Sequence, residues 1–158
     1  DPRLLPMFKA AQKGWAPIPG GRPKTLSLIH VQDCARAIVC ALNANYDSGS
    51  AFFVDDGAIH SIETLAATMG QAFHTQPKLI DLPSPLLSAM AAASTLMARV
   101  LRRDAWLTPS KVKELKERHW ICDSSETQAK LQWQPQIKLD QGIQSTAQWY
   151  LKEGWLKT

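Results

Sequence analysis

Eight glycines are scattered over 158 residues, and none forms the Gly-rich strand-to-helix turn that lets a backbone approach a pyrophosphate. A complete dinucleotide-binding unit is therefore excluded within this stretch of chain. The G-x-S-x-G elbow of a serine hydrolase is missing too. Ser50 follows Gly49 without the rest of that motif and reads as a turn residue. Cysteine is scarce, and the three present cannot pair fully and match no zinc spacing. With no secretory signal at the start, they read as reduced thiols in a cytoplasmic protein. No initiator Met precedes Asp1-Pro2-Arg3-Leu4-Leu5-Pro6, so the chain is expected to begin partway through a longer one. Internal repeats and low-complexity tracts are absent. The uncharged stretch from Pro85 to Ala98 falls short of the roughly 20 residues that cross a bilayer. It reads as a buried or subunit-contacting helix, and membrane association is not expected.

What is present suits one domain. At 45% hydrophobic residues the chain can bury a continuous core, and its net charge of +4 favours solubility and a weak attraction to anions without naming nucleic acid as a partner. Much of the basic excess lies between Arg99 and Arg118.

Hydrophobic periodicity and punctuation divide the chain into elements. Leu4 to Lys13 carries Leu4, Leu5, Phe8 and Ala11 on one helical face and stops at Gly14. Trp15 to Pro23, with three prolines and Gly20-Gly21, is an extended segment and turn. Leu26, Leu28 and Ile29 read as a short strand running into a helix on which Val31, Ala35, Ile38, Val39 and Leu42 recur at helical spacing. Asp33 falls in its first turn, where a carboxylate can accept from unpaired backbone N–H groups. Ala51-Phe52-Phe53-Val54 reads as a buried strand ended by Asp55-Asp56-Gly57. Ser61 caps a helix whose buried face is Ile62, Leu65, Met69 and Phe73. A strand over Lys78 to Leu82 follows, then a long helix from Pro83 and Pro85 to about Arg103, and another opened by Thr108-Pro109. A strand over His119 to Cys122, a small helix from Ser124, and a last helix from Leu139 to Leu151 complete the series. Helices alternate with four or five short strands, which predicts a mostly helical α/β arrangement.

Candidate chemistry is sparse. His119 and Cys122 point to opposite faces of a strand, against a metal site. Asp55 and Asp56 read as a solvated strand end, and Trp133, Trp149 and Trp155 as packing residues. The residues alone give an α/β fragment without a visible active site.

The segment Ser27-Leu28-Ile29-His30-Val31-Gln32-Asp33-Cys34-Ala35-Arg36-Ala37-Ile38 resembles the "fiHVdDvAraI" pattern of extended short-chain dehydrogenase/reductases, the NAD-dependent epimerase/dehydratase family. Three further segments follow in that family's order. Phe52-Phe53-Val54-Asp55-Asp56-Gly57 with Ser61 to Leu65 is similar to its "y-v-x-d-g … s-x-x-e-l". Trp120-Ile121-Cys122-Asp123 with Ala129-Lys130-Leu131-Gln132-Trp133-Gln134-Pro135 is similar to "w-x-x-D … A-x-x-x-L-G-W-x-P", with Gln132 where Gly is usual. Leu139-Asp140-Gln141-Gly142-Ile143 and Trp149-Tyr150 to Gly154-Trp155-Leu156 resemble its closing "l-x-e-G-l … W-Y … g-W-l". The nearest wording is that of the sugar-epimerase or 3-beta-hydroxysteroid-dehydrogenase-like subgroup.

The resemblance implies the C-terminal part of an extended Rossmann-type fold, with the N-terminal nucleotide-binding strands absent and late elements of the Rossmann sheet included. Asp1-Pro2 resembles the pair just after the family's "R-P-x-x-v-y-G-P" strand. Residues 1–158 would then form the substrate-binding region of an NAD- or NADP-dependent enzyme. The catalytic Tyr-x-x-x-Lys is missing: Tyr46 is followed four residues on by Ser50, and Tyr150 by Gly154. No catalytic residue is therefore expected here, no cofactor is expected to bind this fragment, and its partners would be a small-molecule substrate and the N-terminal half. The family's pocket places Leu4 and Pro17-Ile18-Pro19 beside the substrate. Leu26 stands where nucleotide-sugar members carry an Arg on the diphosphate, a loss of about 2 kcal/mol for a charge-assisted contact. The R-x-G-D phosphate signature of some members is also unmatched, and Lys24 or Lys113 would have to compensate. His30, Val31 and Asp33 are expected to be structural, fixing the strand-to-helix joint. The alternative reading is a non-enzymatic ligand-binding or homodimerising domain that uses the surface from Pro85 to Ala98.

Overall fold

Residues 4–105 and 107–157 are described in a computed structural model, so the Asp1-Pro2 pair lies outside the described residues. The first helix, α1 (Leu5–Gln12), ends where Gly14 takes a φ of 78°, a left-handed conformation that costs glycine little. The strand β1 (Trp15–Pro19) pairs in parallel with β4 (Lys78–Leu82), Trp15 opposite Lys78 and Pro19 opposite Leu82. Pro17 and Pro19 lack N–H donors, and a two-stranded sheet tolerates them because each strand has a free edge. A second sheet has the order β3 (Ile59–Ser61), β2 (Thr25–Ser27), β5 (His119–Trp120), with β2 antiparallel to β3 and parallel to β5.

Five helices complete the fold: α2 (Val31–Asn43), α3 (Ile62–Gln71), α4 (Ser84–Leu101), α5 (Pro109–Lys116) and α6 (Ser125–Leu131), before the closing α7 (Leu139–Lys152). The main core is Phe8, Ile18, Leu65, Met69, Ile143, Ala147 and Tyr150, where α1, α3 and α7 meet β1. Two satellites lie apart, Leu87, Ala91, Leu107 and Val112 under α4 and α5, and Ala37, Leu131 and Trp133 between α2 and α6. The capping expectations hold at Ser61 and Thr108, whose hydroxyls accept from the N–H of Thr64 and Lys111 at 3.0 and 3.2 Å.

Several sequence expectations are corrected. The run Ala51-Phe52-Phe53-Val54 is no strand: Phe52 and Val54 pack inward, Phe53 is 64% exposed, and no ladder pairs the run among the described residues. Asp55 is no solvated strand end. It is buried, and accepts from Ser124 Oγ and, at 3.0 Å, from the Gly57 N–H. The uncharged stretch after Pro85 is not buried, because only the stripe Leu87, Ala91 and Ser94 of α4 is covered. Trp149 and Trp155 are partly exposed members of an aromatic cluster with Tyr150, while Trp133 alone of the three is a core residue. The strand at His119 stops at Trp120.

The stripe that first suggests α2 faces the wrong way for a core. Val31, Ile38, Val39 and Leu42 are all more than half exposed, and the helix buries Asp33 and Ala37 instead. Small residues decide this, since Ala37, Cys40 and Ala41 let α2 approach Leu131 and Trp133 closely.

Candidate functional site

The joint between β2 and α2 is built by two polar side chains. His30 is the N-cap of α2, and its Nδ1 accepts from the Gln32 N–H at 3.3 Å. That leaves the proton on Nε2, which faces Ser145 Oγ of α7 at 3.3 Å. Gly142 permits the contact, because a Cβ there would stand 3.3 Å from His30 Cδ2. Asp33 does not cap its own helix. Its Oδ2 accepts from the N–H groups of Gln136 and Ile137 at 3.0 and 2.8 Å, and Oδ1 pairs with Arg36. Burial pushes the Asp33 carboxyl up, but the N–H of Ile137, the Arg36 guanidinium and the N–H of Gln136 outweigh it and hold the pKa below the usual range. Asp33 thereby clamps the segment before α7 onto α2.

That clamp forms one wall of a pocket. Leu4, Leu28, His30, Asp56, Lys138 and Thr146 line it together with apolar side chains of α3 and α7. Asp56 Oδ2 lies 2.7 Å from His60 Nε2, which fixes its carboxylate at the rim. The pocket holds about 90 Å³, well below the roughly 300 Å³ of an ordinary ligand site. It offers a small apolar recess with an acid, a base and a hydroxyl at its edge.

Of the residues singled out in the sequence, Leu4 and His30 meet in this pocket. Pro17 lies on another surface, a shallow depression with Lys9, Lys13, Trp15 and Ile80, while Ile18 is wholly buried and Pro19 ends β1. Leu26 is half-buried, opposite His60 and Trp120, and packs against the main core. Lys24 is buried, its ammonium donating to the carbonyls of Leu115 and Glu117 at 2.7 and 2.6 Å. Burial, reinforced by Arg118 and opposed by Glu117, lowers its pKa. It therefore ties the end of α5 to β2. Lys113 is exposed on α5, and Val31 is exposed at the start of α2. Sequence reasoning missed Asp56, Lys138 and Thr146. The spacing of Asp56 and His60 across a turn was the available signal for the first, and the other two join the site only through the tertiary approach of α7.

The strand-to-helix joints do not fit a dinucleotide pyrophosphate. Leu28-Ile29-His30 precedes α2, Ser61 precedes α3 and Pro83 precedes α4, so none offers the glycines that close backbone approach requires.

No protein-family model matches the chain. Among curated proteins it is 24% identical over 151 residues to the uncharacterized protein y4nL of Sinorhizobium fredii, covering 93% of the chain and 42% of that protein. It is 23% identical over 158 residues to the uncharacterized protein YbjS of Escherichia coli K12, covering 98% and 46%. The chain thus spans less than half the length of these relatives. Among solved structures, gox2253 superposes with a TM-score of 0.67 at 17% identity over 99% of the chain and 46% of its own. UDP-glucose 4-epimerase of Thermotoga maritima, solved with UDP-glucose, gives 0.63 at 16% identity over 93% and 38%. The dTDP-glucose 4,6-dehydratase of Bacillus anthracis, solved with NAD, gives 0.63 at 17% identity over 96% and 40%. The chain therefore has a mixed α/β fold shared with under half of such epimerase and dehydratase structures, consistent with their C-terminal half.

Proposed function

We propose that this chain is the substrate-binding, C-terminal part of a longer NAD- or NADP-dependent oxidoreductase or epimerase, inactive when separated from its nucleotide-binding part. The observation that carries this reading is the coverage: nearly the whole chain superposes, yet on only 38% to 46% of the epimerase and dehydratase chains. The geometry supports the same division. The outward stripe Val31, Ile38, Val39 and Leu42 and the unpaired run ending at Val54 are what a missing neighbour would cover, and the 90 Å³ pocket is what one half of a cleft would leave. In this reading Leu4, His30 and Asp56 face the substrate, the nucleotide-binding part supplies the Tyr and Lys that move the proton, and bound NAD or NADP supplies the hydride chemistry. Leu26, in an apolar setting, favours a substrate less charged than a nucleoside diphosphate sugar.

Calorimetric titration of NAD and NADP into the 158-residue chain and into the polypeptide extended with its encoded upstream residues tests this. No binding to the first and binding to the second is the expected result. Measurable binding to the isolated chain, or an open reading frame starting near Asp1, overturns it.

A further inference from the structure

Helix α4 has only a narrow polar flank, Ser84, Ser88, Thr95 and Arg99, and is apolar over the rest of its surface. Its buried stripe, Leu87, Ala91 and Ser94, packs on Leu107 and Val112, and Ser94 Oγ accepts from the Leu107 N–H at 3.2 Å. The opposite face is also apolar. Leu86, Leu96, Met97 and Val100 are exposed, with Ala89, Ala92 and Ala93 between them. A surface helix of a soluble domain carries charge on its outer side, whereas one with an apolar outer face is covered there by protein or lipid. The described residues do not cover it, since only 17% of the helix is buried.

The basic residues indicate what covers it. Arg99 lies three helical turns beyond Ser88 on one flank of the apolar face, and Lys116 of α5 reaches that same flank, its Nζ donating to Ser88 Oγ at 3.1 Å. Arg102 and Arg103 follow at the helix end, and no ion pair engages Arg99, Arg102 or Arg103 among the described residues. An apolar strip edged by cations matches an anionic bilayer surface, where acyl chains take the strip and lipid phosphates take the guanidinium groups. Because its inner stripe is bonded to α5 and the preceding turn, the helix cannot be surrounded by lipid, so it lies in the interface and does not span.

We infer that α4, with Arg99, Arg102, Arg103 and Lys116, is an interfacial helix that docks the protein on anionic membranes. Flotation of the full chain with vesicles of equal phosphatidylcholine and phosphatidylglycerol, and with phosphatidylcholine alone, tests it. The chain is expected to float with the mixed vesicles, far less with the neutral ones, and less again as salt is raised. The triple variant Arg99→Gln, Arg102→Gln, Arg103→Gln is expected to weaken binding about fivefold for each charge removed. The variant Leu96→Glu with Val100→Glu is expected to abolish binding, and circular dichroism melts establish that both variants remain folded. Should the second variant unfold, the arginine variant alone decides. A folded chain that does not float, equal binding to neutral and anionic vesicles, or a dimer that dissociates on Leu96→Glu without any flotation overturns the inference.

Discussion

Asp33 is the residue on which the joint depends, and the sign of its pH effect follows from its environment. Its folded-state pKa is lowered, so its contribution is complete above the unfolded-state value of about 3.9 and is lost as the pH falls through the folded-state value. Asp33→Asn is expected to cost about 3 kcal/mol at neutral pH, since it removes a wholly buried charge from Arg36 and from the N–H groups of Gln136 and Ile137. Urea unfolding at neutral and acidic pH checks this, and the gap between variant and native chain should close as the native carboxylate is protonated. Gln132 offers a gain instead. It closes α6 in the left-handed region with φ of 49°, at the position where the family resemblance expects Gly. A side chain there costs about 1 kcal/mol, so Gln132→Gly is expected to raise the melting temperature by roughly 3 °C.

At the scale of elements, those with local stop and start signals were legible. Ser61 and Thr108 satisfy orphan N–H groups of their own first turns, and no distant residue is needed to choose them. Ser61→Ala is expected to destabilise by about 1 kcal/mol, measured as a shift of the urea midpoint without change of slope. The periodicity of α2 located the helix and misjudged its facing. An apolar stripe says that something covers it, and the small residues Ala37, Cys40 and Ala41 determined which side meets Trp133. The run at Phe52 failed for a similar reason: a strand exists only when a partner strand supplies its ladder. Of the candidate pocket, Leu4 was expected from the family resemblance and His30 only as a structural residue of the joint, whereas Asp56 comes from the turn after Val54 and Lys138 and Thr146 from α7 and its N-cap.

For the whole molecule, two helices of the described residues carry a run of exposed large apolar side chains, α2 with Val31, Ile38, Val39 and Leu42 and α4 with Leu86, Leu96, Met97 and Val100. Their different edges argue for different occupants, protein on the first and anionic lipid on the second. Replacing Ile38 and Leu42 with Glu is expected to change stability by no more than about 0.5 kcal/mol, since both side chains already face solvent. The same change is expected to lower self-association of the isolated chain, read by sedimentation, and to prevent the nucleotide-binding part from associating when the two are co-expressed.

Local sequence was enough to place the helices, the strands β2, β4 and β5, the caps at Ser61 and Thr108 and the motif around His30, because hydrophobic period, proline, glycine and capping side chains act within a few residues of themselves. Tertiary structure alone decided that Asp33 holds residues 136–137 instead of its own helix, that Lys24 is a buried tether, and that the stripes of α2 and α4 look outward. Those outcomes depend on which distant donor, carbonyl or small side chain arrives opposite, and a period in sequence carries no record of what lies across the contact.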